Sequence, residues 1–174
     1  MAKTNDELLA ILSQFALEEK VVSAEPFGNG HINDTLKVTT DKGEIKYVLQ
    51  RINHLVFTNV EMLQHNIHVV TTHIREKLEA KGETDIDRKV LTFLPTKDGK
   101  YYYFDGDSYW RVCLFIPRSK SYEEVTPELS YEAGKAFGDF QLMLSDLPEG
   151  TLGETIPNFH NMEFRLQQFH EAVE

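Results

Sequence analysis

The spacing of hydrophobic side chains changes between helix-like and strand-like patterns along the first half of the chain. Leu8, Leu12 and Phe15 repeat at helical spacing and predict a first helix that runs to about residue 18. Thr4 or Asn5, just before the repeat, is suited to capping it. The pattern then alternates with a period of two, as in half-buried strands. Short polar turns containing glycine separate three such stretches, so they predict an antiparallel meander with strands at 21–27, 35–40 and 45–52.

The clearest amphipathic helix of the sequence follows this meander. Apolar residues repeat on one stripe from Val60 to Leu78, and Gly82 is suited to ending the helix. Two more strands are predicted at 89–95 and 109–116, with a short extra strand at 101–103. A polar connection then leads to helical patterns that begin near residues 127 and 164.

These elements predict the fold class α+β, with a five-stranded antiparallel sheet and one helix packed across it. The predicted units are 1–117, which holds the sheet, and 118–174, which holds the last helices. The apolar stripe of the final helix runs to Glu174 without a stop signal, which predicts that the chain is truncated there.

Composition narrows the function classes. The 174 residues include 28 acidic and 18 basic side chains, and the net charge of −10 argues against duplex nucleic acid or an anionic membrane as the main partner. No apolar run approaches the ~20 residues of a membrane-spanning helix, and the N-terminus lacks a signal-peptide layout. Cys113 is the only cysteine, which excludes an intrachain disulfide. Together these features predict a cytoplasmic protein.

A glycine-rich turn between the first two predicted strands is the strongest candidate for chemistry. It reads Gly28-Asn29-Gly30-His31-Ile32-Asn33-Asp34, and glycines let a backbone approach phosphates closely and direct amides at them. A glycine pair between two strands is more often an ordinary hairpin. The turn lacks the Gly-Lys-Ser/Thr ending of a Walker loop and the full glycine pattern of protein kinases.

Several other segments, together with the glycine turn and in the same order along the chain, resemble those of a known family. This is the phosphotransferase enzyme family of aminoglycoside phosphotransferases and choline kinases, and within it the resemblance is to the N-acetylhexosamine 1-kinases. The resemblance covers almost the whole chain. The segments are Tyr47-Val48-Leu49-Gln50-Arg51-Ile52-Asn53, Trp110-Arg111-Val112, Gly134-Lys135-Ala136-Phe137-Gly138-Asp139-Phe140-Gln141 and Asn158-Phe159-His160.

The resemblance implies a protein-kinase-like small lobe that binds ATP, followed by the helical start of a large lobe. It also implies Mg²⁺ as a cofactor and phosphorylation of a free N-acetylhexosamine, GlcNAc or GalNAc, at the anomeric hydroxyl. Two alternatives stay open. One is a sister kinase that acts on choline, homoserine or an aminoglycoside, and the other is a non-catalytic module that binds a nucleotide or a partner protein.

The resemblance assigns candidate roles by position. The glycine turn would hold the phosphates, Val48 would contact the adenine, and the end of the last strand would form the hinge that binds the adenine edge. Phe159 and His160 are candidates for the acceptor pocket, although a loop aromatic that anchors the last helix is an equal alternative. The nucleotide-binding candidates are Gly28, Asn29, Gly30, His31, Asn33, Val48, Gln50, Phe115 and Ile116.

Gln50 stands where the third strand of a kinase usually carries a lysine that binds the phosphates. Strand alternation puts Val48 and Gln50 on one face of the sheet and Leu49 and Arg51 on the other. An amide brings no charge, so Arg51 would replace the lysine only if the strand were shifted or bulged. The alternative is that Gln50 is a polar residue on a solvated strand face.

No catalytic aspartate and no metal ligand are predicted in this chain. Asp34 belongs to the glycine turn, and Asp139 lies inside an amphipathic helical pattern, so neither fits a catalytic loop or a metal-binding turn. The resemblance implies that both aspartates and the Mg²⁺ ligands belong to a missing C-terminal lobe. The chain alone is therefore predicted to be inactive, and its last two helices are expected to favour self-association through exposed apolar faces.

Overall fold

The computed structural model describes residues 3–28, 30–122 and 124–173. These residues form an α+β fold with four α-helices and a six-stranded antiparallel sheet, so the predicted fold class is confirmed and the predicted count of five strands is wrong by one. No helix in these ranges is both long and apolar enough to cross a membrane. The elements are α1 Asn5–Leu12, β1 Val21–Pro26, β2 Asp34–Thr40, β3 Ile45–Ile52, α2 Val60–Ala80, β4 Phe93–Leu94, β5 Tyr103–Phe104, β6 Tyr109–Leu114, α3 Pro127–Leu144 and α4 Met162–Val173.

The sheet places β3 at its centre. The strand order is β1-β2-β3-β6-β4, and β5 pairs with β6. β3 pairs with β6 in one unbroken register, from Tyr47 opposite Leu114 to Ile52 opposite Tyr109. Directly opposed residues of an antiparallel pair share a face. The register therefore fixes which β6 side chains lie beside those of β3.

The two faces of the sheet are covered by different helices. The face that carries Tyr47 and Leu49, here called the α1 face, is buried under α1. The opposite face, here called the α2 face, carries Val48, Gln50 and Ile52, and α2 packs on it at Ile52. The buried residues of the α1-face core are Leu8, Ile11, Leu12, Phe15, Ala24, Val38, Tyr47, Leu49, Trp110 and Val112.

The first helix is shorter than predicted. It begins with a capping box in which Thr4 and Glu7 satisfy each other's backbone amides, but it ends at Leu12 instead of residue 18. Phe15 forms a β-bridge with Thr96, and the amide of Ala16 donates to the Pro95 carbonyl at 2.9 Å. Strand-like hydrogen bonds to this distant segment replace the helical ones, so the helical repeat ends early.

The strand predicted at 89–95 is also largely wrong. Only Phe93–Leu94 pairs in the sheet, and a short 3-10 helix at Ile86–Arg88 precedes it. The extra strand predicted at 101–103 forms as the shorter β5, Tyr103–Phe104, which overlaps the prediction only at Tyr103.

Part of the C-terminal region docks on α2. Met143 and Leu144 pack with Ile74 and Leu78 of α2. The side chain of Asn66 donates to the Gly153 carbonyl at 2.7 Å and accepts from the Gly153 amide at 3.0 Å. The rest of α3 and α4 buries no residue within the described ranges. Their exposed apolar side chains include Tyr131, Phe137, Leu142, Leu166, Phe169 and Val173.

Candidate functional site

The α2 face brings together two cross-strand rows of side chains. In the first row Lys37 of β2, Val48 of β3 and Cys113 of β6 lie opposite one another, and Phe93 of β4 continues it. In the second row Thr35, Gln50 and Arg111 lie opposite one another. The face thus combines a largely apolar row with a polar row beside it.

The polar row is a continuous chain of hydrogen bonds. Gln50 Nε2 donates to Thr35 Oγ1 at 2.9 Å. Arg111 donates to Gln50 Oε1 from Nε at 2.9 Å and from Nη2 at 2.5 Å. Both ends of the Gln50 amide are therefore engaged with neighbouring strands, which makes it a bridge between Thr35 and Arg111 and not a freely solvated side chain.

Arg111 places a positive charge beside the uncharged Gln50. Its guanidinium lies over the Phe93 ring, with Cζ 5.3 Å from the ring centroid. Nη1 is shielded from solvent and has no hydrogen-bond partner among the described residues, and no described carboxylate lies within ion-pair distance. Burial lowers the pKa of Arg111, and the neighbouring Cys113 opposes that shift. An arginine stays protonated nevertheless, so a poorly compensated cation lies on this face.

Arg51 lies on the other side of the sheet. β3 has no shift or bulge against β6, so strand alternation directs Arg51 to the α1 face. There its Nε donates to Asp34 Oδ2 at 2.6 Å across the β2–β3 pair. The shifted strand that would bring Arg51 to the phosphates does not occur, and Asp34 is engaged as its ion-pair partner.

Only one of the two glycines in the turn has a backbone conformation that favours glycine. Gly28 has a φ of +81°, in the left-handed region that favours glycine. Gly30 has ordinary backbone geometry, and a Cβ there would meet only the Asn33 carbonyl oxygen at 3.8 Å. Asn29, another predicted phosphate contact, lies outside the described residues. Asn33 accepts a hydrogen bond from the Asn53 amide at 2.8 Å, which ties the end of the turn to the end of β3.

Phe27 connects the glycine turn with the predicted hinge. Its ring meets that of Phe115 edge-on, with centroids 5.8 Å apart. Phe27 follows β1 and Phe115 follows β6, and two strands, β2 and β3, lie between them in the sheet. The aromatic contact therefore joins the ends of β1 and β6 across β2 and β3.

The predicted hinge residues are half-buried at the end of β6. The Phe115 amide donates to the Lys46 carbonyl at 2.9 Å and so continues the ladder of the sheet. Phe115 therefore faces the site with its ring, while its N–H is already engaged. The carbonyl of Ile116 accepts from Ser119 Oγ at 3.3 Å, and Arg88 Nη1 donates to the Pro117 carbonyl.

Cys113 lies in the same row as Val48. Burial raises the pKa of its thiol to about 11, although the nearby Arg111 opposes the shift. The thiol is therefore neutral at pH 7 and behaves as a small apolar side chain. This neutrality also explains why it does not balance the charge of Arg111.

Other predicted site residues are not brought to this face. His31 is exposed in the glycine turn. Phe159 and His160 are exposed and meet each other with centroids 4.8 Å apart, and Arg165 Nε donates to the Phe159 carbonyl at 3.2 Å. Since Arg165 belongs to α4, these contacts favour the alternative that Phe159 anchors the last helix.

A cavity of about 690 Å³ lies beside the glycine turn, and its lining draws on both sides of the sheet. Leu8, Arg51 and Trp110 line it from the α1 face. Residues of the turn and of the adjoining strand ends line it as well, namely Phe27, Gly28, Gly30, Asn33 and Thr35. Neither Val48 nor Gln50 contributes to its lining. The cavity therefore adjoins the candidate site at the glycine turn, while the strand register identifies the side chains of the α2 face.

The acidic and histidine side chains outside the α2 face are dispersed. Asp139 lies within α3, as predicted. His68 stacks on Tyr101 with centroids 4.4 Å apart, while His73 contacts Asp146 at 2.9 Å. In the part of the chain that the structure describes, no three His, Cys, Asp or Glu side chains are grouped so as to hold a metal ion.

The side chains of the α2 face indicate which kind of ligand they suit, but they do not identify a protein family. An apolar row, a nearby aromatic pair and a cation beside the row suit a flat ring that carries an anionic chain. No protein-family model matches the chain.

Proposed function

We propose that the chain is the nucleotide-binding N-terminal portion of an ATP-dependent small-molecule kinase of the aminoglycoside-phosphotransferase type. Its proposed acceptor is an N-acetylhexosamine, GlcNAc or GalNAc, phosphorylated at the anomeric hydroxyl. The resemblance of the sequence segments supports the family and the acceptor, and the geometry of the α2 face supports the nucleotide.

The observation that carries the proposal is the contact between Phe27 and Phe115. It joins the glycine turn to the end of β6 across the strands that lie between them. In kinases, the glycine loop, the third strand and the hinge surround the nucleotide in the same relation. An adenine ring would exchange the contact between the two phenylalanines for stacking against them.

The polar parts of the face are arranged for phosphates. Gly28 and Gly30 leave the backbone of the turn open to close approach, and Arg111 lies one strand beyond Gln50. These groups bind and orient the nucleotide, which exposes its terminal phosphate to an acceptor. Mg²⁺ would neutralise the charge of the bound phosphates.

The test has two parts. Binding of MgATP to the 174-residue chain is measured by isothermal titration calorimetry, with GTP and adenosine as comparisons. Phosphorylation of GlcNAc, GalNAc, choline and homoserine is then measured with the chain alone and with the longest open reading frame that contains it.

Each outcome has a distinct meaning. Binding of ATP by the chain, together with sugar phosphate from the longer protein, supports the whole proposal. Turnover of choline or homoserine keeps the kinase and overturns the sugar. Absence of nucleotide binding by both proteins overturns the proposal and favours a module that binds a partner protein.

A further inference from the structure

We infer that Arg111 of β6, held by Gln50, is the phosphate-binding cation of this site and replaces the lysine that strand three of a kinase carries. The inference rests on the proposed nucleotide function and names the residues that bind the phosphate chain. Sequence comparison with kinases directs attention to Gln50, whereas the register of the sheet moves the charge one strand away.

Both donor nitrogens on the edge of the guanidinium that faces Gln50 are engaged in hydrogen bonds. Nε and Nη2 both donate to Gln50 Oε1, at 2.9 and 2.5 Å. The other edge, formed by Nη1 and the second N–H of Nη2, is the pair of donors that binds an oxyanion end-on. Nη1 has no hydrogen-bond partner within the described ranges.

An unmatched guanidinium in a shielded position is costly. Burying a charge without a partner is unfavourable, and a native structure retains such a group when it serves a function or meets a counter-ion. The described neighbours of Arg111 on this face are an amide, an aromatic ring and a neutral thiol, from Gln50, Phe93 and Cys113. A phosphate supplies both the negative charge and the two acceptors that these neighbours lack.

Gln50 is a positioning residue in this arrangement. A lysine at its place would repel Arg111, and a glutamate would neutralise it. The amide does neither: it accepts from Arg111 and donates to Thr35, which fixes the orientation of the guanidinium. Because Nη1 is shielded, an incoming phosphate must displace some of the side chains that shield it. Binding is therefore expected to change side-chain packing on this face.

The experiment separates the phosphate chain from the base. Affinities of the chain for MgATP, adenosine and inorganic tripolyphosphate are measured by calorimetry for the wild type and for Arg111→Met. We expect Arg111→Met to lower the affinity for ATP and tripolyphosphate by about 10- to 100-fold, the effect of losing a charge-assisted pair. Its affinity for adenosine is expected to stay unchanged.

Arg51→Met is the matched control, since it removes an arginine from the same part of the sheet but from the α1 face. It changes the net charge equally and is expected to preserve the preference for ATP over adenosine. An equal loss in both variants would mean that general charge, and not Arg111, governs binding, and would overturn the inference.

The remaining outcomes distinguish this inference from the proposed function. If ATP binds and Arg111→Met keeps the ratio of ATP to adenosine affinity, the inference is wrong and the nucleotide function stands. If tripolyphosphate alone binds, and only with Arg111 present, the anion site stands and the nucleotide function falls. If none of the three probes binds to the wild type, both fall.

Gln50→Glu provides a second variant in case Arg111→Met does not fold. It keeps the shape of the side chain and the acceptor for Arg111, but it places a carboxylate against the guanidinium. We expect at least a 10-fold loss of ATP affinity with adenosine affinity retained, because the carboxylate competes with phosphate. An unchanged preference for ATP would contradict the role of Arg111.

Discussion

Single residues on the α2 face owe their chemistry to the neighbours that the register gives them. Gln50 is a bridge because Thr35 and Arg111 lie on either side of it. Cys113 is inert because it lies in a buried row beside Val48. The same residue types on an exposed strand would be solvated and independent of one another.

The Cys113 thiol gives a direct test of that burial. Its pKa of about 11 lies above the ordinary thiol value of 9.0. We expect native alkylation by iodoacetamide at pH 8 to be at least 10-fold slower than in the chain unfolded in urea, since only the thiolate reacts. The rate is measured by mass spectrometry, and it needs no mutation because this is the only cysteine. A native rate equal to the unfolded rate would show that the thiol is exposed.

At this scale the sequence predicted the faces correctly but not the partners. Alternation alone put Val48 and Gln50 opposite Arg51, and the structure agrees. Arg111 was present in a segment that carries the family resemblance, yet its role depends on which β3 residue lies opposite it. That pairing joins residues 61 apart in the chain and has no local signal.

Among the elements, α1 depends most on its first turn because it is only eight residues long. Thr4 Oγ1 accepts from the Glu7 amide at 3.3 Å, and Glu7 accepts from the Thr4 amide at 2.7 Å. We expect Thr4→Ala to lower the free energy of unfolding by about 1 kcal/mol, measured by urea unfolding with tryptophan fluorescence. Thr4→Ser keeps the capping oxygen and should stay within about 0.5 kcal/mol of the wild type. Equal losses in the two variants would exclude the cap as the cause.

A second prediction concerns the attachment of the 143–153 region to α2. Asn66→Ala removes both hydrogen bonds to the backbone of Gly153 and leaves a half-buried amide and carbonyl unpaired. We expect a loss of about 1–3 kcal/mol and faster hydrogen exchange at Gly153. Gln167→Ala, on the exposed face of α4, is the control and should change neither quantity. An unaltered exchange rate at Gly153 in Asn66→Ala would contradict this docking.

The errors in element bounds have one physical origin. The helical repeat through Phe15 and the strand pattern at 89–95 are both present in the sequence as local patterns. In the fold, the segment after α1 instead pairs with residues 95–97, and the chain before β4 turns through a 3-10 helix. Long-range hydrogen bonds override short-range periodicity at such places.

For the whole molecule, acid should loosen the contact between α2 and the end of α3. Hydrogen bonds from Lys77 and His73 lower the pKa of Asp146 from 3.8 to about 2. A carboxyl whose pKa is lower in the folded than in the unfolded state stabilises above the unfolded value and loses that effect as the pH falls through the folded value. The contribution of Asp146 is therefore complete above about pH 4 and disappears towards pH 2.

The variant Asp146→Asn tests this assignment. We expect a smaller fall in stability between pH 4 and pH 2 than in the wild type, measured by thermal unfolding over that range. Asp139→Asn, an exposed carboxyl on α3, is the control and should keep the pH dependence of the wild type. Identical profiles for Asp146→Asn and the wild type would contradict the role of Asp146.

The exposed apolar side chains of α3 and α4 bear on the behaviour of the isolated chain. Tyr131, Phe137 and Leu142 on α3, with Leu166 and Phe169 on α4, present apolar surface to solvent. We expect self-association that increases with protein concentration, measured by light scattering. A monomer at all concentrations, with no binding of an apolar dye, would contradict the expectation.

Trp110 is an intrinsic fluorescent probe of the sheet. It is the only tryptophan, it is 97% shielded on the α1 face (3% exposed), and its indole N–H donates to Asp105 at 2.8 Å. Arg111, the next residue, faces the other way. A ligand confined to the α2 face does not contact the indole directly, so a change in emission on its addition would report a rearrangement around Trp110, at Asp105 or at Arg51 opposite it. Constant emission during calorimetric binding would show that the surroundings of the indole on the α1 face stay as they are.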